Sequence, residues 1–517
     1  MAKIITSEQA AALIKDNSTI AIGGMGLGGW PEEVAQSIEK RFLETGEPKY
    51  LSIKQGSAIG DWKERGTTRW GHEGLVKKWA GAHIGSSHGL SSLVLKNKIS
   101  AHCLPQGVVV NLWREIAAHR AGLITKVGLG TFIDPRLEGG KLNSVTNEDL
   151  VKAVEFEGEE WLFYKAFPVD FALLRGTVAD ENGNITIENE GWKYEALQIA
   201  EAAKNTGGVV IVQVEYLAKA GTLHPKKVQV PGVMVDYVVV ATKQEACWQT
   251  EGTYYNPAFS GDIKVPLMAI EPLSLNERKI IGRRCSMELK KNMIVNLGYG
   301  IPTFVASVAA EENVFNDITL STESGAFGGI PATPPDFGSS YNAEALIEHG
   351  AVFDYYDGGG LDIAYLGLAQ TDKNGNINVS KFSGKVIGCG GFINISQNAK
   401  KVVFCGTFTN GAVVEVDQGK LNIVTEGKRK KFVDHVEQIT FSGKYAAKTK
   451  QQVIYITERA VFTLEDGEMT LTEIAPGIDL NKDILDQMEF RPKVSKDLKT
   501  MAIDIFQDKW ERLSDMI

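Results

Sequence analysis

One glutamate in the sequence has the setting of a reactive carboxylate. Residues 317–331 read DITLSTESGAFGGIP, in which the β-branched run ITLST ends at Glu323 and glycines follow directly. A carboxyl group at the C-terminal end of a parallel strand lies in the crevice where α/β sheets bind ligands, and a carboxylate can act as a covalent nucleophile. An ordinary glutamate has a pKa of about 4.3, so we expect Glu323 to be fully ionised at neutral pH. The alternative is a solvated loop residue, the usual fate of a single glutamate.

A glycine-rich segment near the start of the chain is a second candidate for ligand binding. Residues 24–29 read GMGLGG between a strand-like and a helix-like run, which satisfies the G-x-G-x-x-G pattern of dinucleotide-binding loops. The acidic residue that such a loop needs after the next strand is missing, because the run at 50–58 is YLSIKQGSA. Close helix–strand packing explains some of these glycines. We favour a loop in which Gly24 and Gly26 bring bare backbone close to an anionic ligand at the helix N-terminus.

Both segments resemble signatures of the class I CoA-transferases. Residues 16–31, DNSTIAIGGMGLGGWP, are similar to the first signature, in which Asp-Asn, an apolar triplet, Gly-Gly-Phe and Gly-x-Pro occur at these spacings; Met25 stands where phenylalanine is usual. Residues 322–325, TESG, resemble the second signature, usually Ser-Glu-Asn-Gly or a close variant, with departures at Thr322 and Ser324. The resemblance extends over almost the whole chain and is strongest to the single-chain propionate, lactate and acetate CoA-transferases.

The resemblance implies an acyl-CoA:carboxylate CoA-transferase in which Glu323 carries CoA as a covalent thioester. In that chemistry the carboxylate attacks an acyl-CoA to form a mixed anhydride, and the released CoA thiolate then attacks the glutamyl carbonyl. An acceptor acid reverses both steps, which gives ping-pong kinetics. Coenzyme A is then a substrate, no cofactor is required, and the expected acids are the short-chain ones: acetate, propionate, butyrate and lactate.

Each step of this chemistry passes through a tetrahedral oxyanion that hydrogen-bond donors must stabilise. The resemblance indicates two sources of donors. Gln106, in the run LPQG, is similar to the family's oxyanion glutamine, and Gly388, Gly390 and Gly391, in the run VIGCGGF, resemble its loop for CoA binding and oxyanion stabilisation. A surface amide and a tight turn are the respective alternatives. Cys389 has no histidine near it in sequence, and we interpret it as a packing residue.

An α/β fold must position these residues. Short β-branched runs such as TIAI (19–22) and KVVFCG (401–406) alternate with helix-like segments, which is typical of βαβ units and mostly parallel sheets. Residues 170–185, DFALLRGTVADENGNI, and 362–377, DIAYLGLAQTDKNGNI, agree at eight of sixteen positions with a constant offset of 192. Each copy contains an Asp-x-Asn-Gly turn that favours a hairpin.

The repeat predicts two similar open-sheet α/β domains in a duplicated chain. We place an N-terminal domain at 1–242, a linker at 243–276 and a C-terminal domain that contains Glu323 at 277–517. The family resemblance implies the same arrangement, because its single-chain members resemble an α-like and a β-like subunit fused together. It also implies a homo-oligomer, either a dimer or a tetramer.

The composition excludes several classes of function. A net charge of −9 argues against nucleic-acid binding, and we interpret the basic run at 428–431 as a solvated loop that could also contact phosphates. Five scattered cysteines and eight histidines show no metal-binding spacing, so we expect no metal site. No apolar stretch approaches the roughly 20 residues that span a bilayer, and the N-terminus has no apolar signal core. These features predict a cytoplasmic enzyme without membrane partners.

Three other functions stay open from the sequence. An acyl-CoA hydrolase on the same scaffold would admit water to the glutamyl thioester. A nicotinamide-dependent oxidoreductase would use the loop at 24–29. A non-catalytic CoA-sensing module would bind the same ligand without turnover, although Glu323 and both glycine loops are intact.

Overall fold

The computed structural model describes residues 2–266 and 273–517, and its first half is built on one parallel sheet. Eight strands of this part of the chain lie side by side, all parallel, and a short strand, Ile185–Thr186, pairs antiparallel with one of them. Their order is Lys3–Ile5, Tyr237–Val240, Val209–Ala218, Phe171–Asp180, Thr19–Ile22, Leu51–Gln55, Val76–Gly81 and Ser100–Cys103.

The second half is built on a mixed sheet with a parallel centre. Antiparallel strands extend this sheet at both sides. The order is Ala345–Leu346, Ala326–Phe327, Thr319–Ser321, Ile294–Leu297, Ile363–Gly367, Lys401–Cys405, Gln452–Ile456, Ala460–Glu465, Glu468–Ile474 and Lys493–Thr500.

Helices and small sheets complete both halves. The helices are Ser7–Leu13, Glu32–Thr45, His88–Leu95, Gln106–Ala117, Ala196–Asn205, Glu277–Ser286, Phe304–Glu311, His349–Asp357, Phe392–Asn398 and Gly443–Thr449. A three-stranded sheet contains Gly122–Thr125, Glu159–Lys165 and Val151–Phe156. The two-stranded pairs are Ile330–Pro331 with Ser340–Tyr341, Gln370–Thr371 with Ile377–Asn378, Lys381–Phe382 with Lys385–Val386, Thr409–Asn410 with Arg429–Lys430, and Val413–Asp417 with Lys420–Thr425.

The two halves repeat one strand order. The strands that begin at 237, 209, 171, 19 and 51 in the first half correspond in sequence and in sheet position to those that begin at 452, 401, 363, 294 and 319 in the second. All are parallel, as expected when helical crossovers cover both faces of a sheet. The prediction of an α/β fold with two similar halves is confirmed.

The internal repeat is one loop built twice. Asp180 Oδ1 accepts hydrogen bonds from the backbone N–H groups two and four residues later, at 3.0 and 2.9 Å, and Asp372 Oδ1 does the same at 3.0 and 3.2 Å. The carboxylates of Asp170 and Asp362 likewise each accept a backbone N–H at the start of the neighbouring strand, at 2.7 and 2.9 Å. The identical residues of the two copies therefore make equivalent hydrogen bonds, and each loop closes the predicted hairpin.

Each half has its own hydrophobic core, and one segment of the second half packs in the core of the first. Val386, Cys389 and Ile393 come from the second half but pack in the core of the first. The predicted boundaries at 242/243 and 276/277 stay predictions, and residues 267–272 of the proposed linker lie outside the described residues. No helix in the described ranges is both long and apolar enough to cross a membrane.

Candidate active site

A cavity of about 450 Å³ collects most of the residues that the sequence singled out. It is lined from both halves of the chain, and Glu323 and Gln106 both face it. The glycines at 26, 388, 390 and 391 also line it, whereas Gly24 does not. Candidates that are up to 365 residues apart in the chain thus meet at one place.

Glu323 is presented to the cavity by a tight turn. The parallel strand Thr319–Ser321 ends two residues before it, and the chain then reverses into the antiparallel strand Ala326–Phe327. The turn is closed by the Gly325 N–H, which donates to the Thr322 carbonyl at 3.0 Å. This is the predicted position, beyond the carboxyl end of a parallel strand of an α/β sheet.

The cavity changes the acidity of Glu323. Burial of the carboxyl raises its pKa to about 7, because the charged form loses solvation, and the electrostatic influence of the His349 side chain counteracts only part of this effect. The expectation of full ionisation at neutral pH is therefore wrong. About half of the Glu323 side chains carry a proton at pH 7.

The second glycine loop places one free backbone donor beside this carboxyl. The N–H groups of Gly388, Cys389 and Gly390 donate to other protein atoms at 3.1, 3.3 and 2.9 Å. The Gly391 N–H donates to no protein atom within the described residues. A Cβ at position 391 would overlap the Oε2 atom of Glu323, so only glycine allows this close approach. Of the four N–H groups, that of Gly391 is the one available for a substrate oxygen.

Cys389 packs inside the protein. Its Sγ atom lies 3.5 Å from that of Cys103, and both thiols are buried. Burial raises the pKa of Cys389 well above its usual value, so the thiol stays protonated and is a poor nucleophile. These contacts agree with the interpretation of Cys389 as a packing residue.

Gln106 is held by two buried side chains that the sequence analysis did not find. Its Nε2 lies 3.0 Å from Nε2 of His349, whose Nδ1 lies 2.8 Å from Oε2 of Glu195. All three residues are about 1% exposed. A proton on Nδ1 satisfies the carboxylate of Glu195 and leaves Nε2 of His349 as the acceptor for the amide of Gln106. The second amide hydrogen of Gln106 is then not used by His349.

No pattern in the sequence reveals this relay. Glu195 and His349 are 154 residues apart, and His349 and Gln106 are 243 apart. Each begins or precedes a helix, at 196, 349 and 106. Helix-start positions are unremarkable in a list of residues and become informative only when the three helices meet.

The first glycine loop is a folded turn with its helix N-terminus already occupied. Gly24 has a φ of +104°, and a Cβ there would collide with the loop's own backbone. The N–H groups of Glu33 and Val34 at the helix start donate to Oε1 of Gln213 at 2.9 and 3.2 Å. A protein amide thus satisfies these two donors at the helix start, and ligand binding by Gly24 and Gly26 stays a prediction. Met25 and Gly26 bring this loop to the cavity.

Comparison with known proteins decides the family. The family model described as Coenzyme A transferase matches residues 4–241. The caffeate CoA-transferase of Acetobacterium woodii is 61% identical over the full length of both chains, and the acetate CoA-transferase YdiF of Escherichia coli K12 is 44% identical over 98% of this chain and 95% of that one. The chain belongs to the coenzyme A transferase family.

The fold of this CoA-transferase is also that of a solved relative. The crystal structure of the acyl-CoA transferase YdiF apoenzyme from Escherichia coli O157:H7 superposes with a TM-score of 0.93 at 42% identity, over 99% of this chain and 97% of that chain. The structure of its thioester complex with CoA superposes with a TM-score of 0.92. The predictions of family, fold and enzyme class are confirmed, and with them CoA-transferase activity on carboxylates.

The cavity of this CoA-transferase is mostly apolar and aromatic. Met25, Trp192 and Tyr194 form a buried cluster with Phe337 packed against it. The lining also contains other rings: Trp62, His83, Tyr299, Phe382 and Phe392. Burial lowers the pKa of the His83 side chain to about 4, so this ring adds no charge at neutral pH. Of these wall residues, only Met25 and Phe392 belong to the segments that the sequence singled out.

Proposed function

We propose that this CoA-transferase moves CoA between carboxylic acids by a ping-pong mechanism with a glutamyl-CoA thioester on Glu323. The observation that carries the proposal is the position of this carboxyl, which faces an apolar cavity next to the unused N–H of Gly391. The amide of Gln106 faces the same space from the other half of the chain. A nucleophile and two hydrogen-bond donors are the parts that acyl transfer requires.

The residues then have distinct roles. The ionised Glu323 attacks the acyl-CoA carbonyl, and the C–S bond breaks to give a mixed anhydride and CoA thiolate. The thiolate attacks the γ-carbonyl of Glu323, which releases the first acid as a carboxylate and leaves CoA bound through sulfur. Gly391 N–H and Gln106 stabilise the oxyanions of both steps, and an acceptor carboxylate reverses the sequence. The apolar walls exclude water, which would otherwise hydrolyse the thioester.

The substrates that we propose are of two kinds. Short-chain acids, namely acetate, propionate, butyrate and lactate, follow from the sequence resemblance, and a relative at 44% identity is named for acetate. The aromatic lining of the cavity supports aryl acids as a second kind, since planar rings pack well against such side chains. The relative at 61% identity is named for caffeate. Dimer or tetramer formation and a cytoplasmic location stay predictions.

The test is the trapped intermediate. Incubation with acetyl-CoA alone should add the mass of CoA to the protein, and peptide mapping should locate the adduct on Glu323. Borohydride should reduce the adduct, and Glu323→Ala should lose both adduct and turnover. Glu344→Ala, at an exposed residue close to the same hairpin, is the matched control and should keep both.

Two outcomes would refute the mechanism. An adduct mapped to Cys389 would show that Cys389, and not Glu323, is the nucleophile. Turnover at the parental rate in Glu323→Ala would remove the covalent step altogether. Release of free CoA from acetyl-CoA at the transfer rate, without any acceptor acid, would make the enzyme a hydrolase instead.

A further inference from the structure

A second glutamate, Glu251, lines the same cavity. It lies in the described part of the connector between the two sheets, a segment that the sequence analysis treated only as a linker. Its side chain packs against the first glycine loop: a Cβ at Gly26 would lie 3.1 Å from Cγ of Glu251. The neighbouring Thr250 also lines the cavity and donates a hydrogen bond from its hydroxyl to Asp336. The connector is therefore a wall of the site.

The Glu251 carboxyl has no hydrogen-bond donor among the residues that the structure describes. The closest cation in this region, Arg65, is bound to Asp61 at 2.8 Å, lies over the ring of Trp248 at 4.4 Å, and reaches only the backbone carbonyl of Glu251, at 3.0 Å. Within the described residues the carboxyl of Glu251 makes no hydrogen bond and no ion pair. Glu251 is half-buried, so its carboxyl is open to the cavity and free to accept a hydrogen bond from a bound ligand.

The electrostatic environment of Glu251 favours a neutral hydrogen-bond donor as its ligand. Burial, together with the negative charges of Asp61 and Asp336, raises the pKa of Glu251 to about 7, while Arg65 acts in the opposite direction. A neutral hydroxyl that donates a hydrogen bond suits this environment, whereas a second anion does not. Glu251 therefore fits the uncharged end of a substrate and not its carboxylate.

Aromatic rings line the same cavity as this carboxyl. The charge of Glu251 contributes to the raised pKa of Tyr299, whose ring lies 5.3 Å from that of Phe337, and Phe337 packs on the cluster of Met25 and Trp192. A planar acyl group between these rings would direct a hydroxyl on its far end toward this wall. A phenolic hydroxyl has a pKa of about 10 and is a neutral donor at pH 7.

We propose that Glu251 is a specificity residue that accepts a hydrogen bond from a hydroxyl on the acyl group, at the end remote from the reacting carboxyl. Its preferred ligands are hydroxyaryl acids. This inference rests on the proposed function, because it assumes that acyl groups bind in the cavity that Glu323 faces. It assigns the substrate class to one side chain on the wall formed by the connector.

The test compares two acids that differ by one hydroxyl. We measure kcat/KM for 4-hydroxycinnamate and for cinnamate as acceptors with acetyl-CoA as donor, in the wild type, Glu251→Gln and Glu251→Leu. The wild type should prefer the hydroxylated acid, and Glu251→Leu should lose about 10- to 100-fold of this preference, the range for a hydrogen bond to a charged group. Glu251→Gln keeps an uncharged acceptor and should fall in between. Glu245→Gln, at an exposed residue of the same connector, should leave the ratio unchanged.

The outcomes separate this inference from the proposed function. The CoA adduct formed from acetyl-CoA alone should appear equally in the wild type and in both Glu251 variants, which reports the chemistry of Glu323 and shows that the variants fold. With the adduct present, three results would overturn the inference: an unchanged preference in Glu251→Leu, an equal loss for both acids as expected of a contact to CoA itself, or no transfer to either acid. Absence of the adduct in the wild type would instead overturn the proposed function.

Discussion

The raised pKa of Glu323 predicts a distinctive pH dependence for the first half-reaction. Only the carboxylate form can attack acyl-CoA, so the rate of adduct formation follows the ionised fraction of this one side chain. Because burial raises the folded-state pKa from 4.5 to about 7, the carboxylate is lost as the pH falls through 7 rather than through 4.5. Activity should therefore increase from pH 6 to pH 8 and level off above it.

The size of the effect follows from the pKa. With a pKa of about 7, the ionised fraction is about one tenth at pH 6, about half at pH 7 and about nine tenths at pH 8. The single-turnover rate should increase about ten-fold over this range. A glutamate with the ordinary value of 4.5 is already about 97% ionised at pH 6, and its rate would change by only a few per cent.

The assay is rapid-quench formation of the CoA adduct from acetyl-CoA, measured by intact mass at pH 6 to 8. Glu251 is the main confounder, because it lines the same cavity and its pKa is also raised to about 7. The Glu251→Gln variant removes this group and should keep the profile. Burial shifts the pKa of His83 down to about 4 and that of Cys389 well above its usual value, so neither titrates in this range. A flat rate between pH 6 and 8 would refute the argument that burial controls this carboxyl.

Two further predictions concern the groups around the nucleophile. Gly391→Ala should abolish adduct formation while circular dichroism stays unchanged, because the added Cβ would overlap Oε2 of Glu323; a normal adduct in this variant would contradict the observed closeness. His349→Ala should lower kcat about 10²-fold with KM for acyl-CoA within about three-fold, because the amide of Gln106 loses the partner that orients it. Glu195→Gln, which keeps the shape of the relay, should show a smaller decrease in kcat. If KM for acyl-CoA instead increased as much as kcat decreased, the effect would be a general packing defect.

The sequence by itself determined the fold class, the repeat and the location of Glu323 in a strand-end turn. Local residues specify these features: β-branched runs give strands, and the Asp-x-Asn-Gly turns bind their own backbone in both copies. The strand before Glu323 was expected at ITLST and is observed at Thr319–Ser321. The residues of each such pattern lie close together in the chain, so these features can be predicted from the sequence.

Tertiary structure alone decided the acidity and the walls of the site. The pKa of Glu323 depends on desolvation by both halves, and the relay of Gln106, His349 and Glu195 joins three helix starts from distant parts of the chain. The segment that contains Glu251 looks like a connector in sequence and becomes a wall only where the first glycine loop packs against it. Desolvation and long-range contacts depend on the whole chain's packing, and no local pattern encodes them.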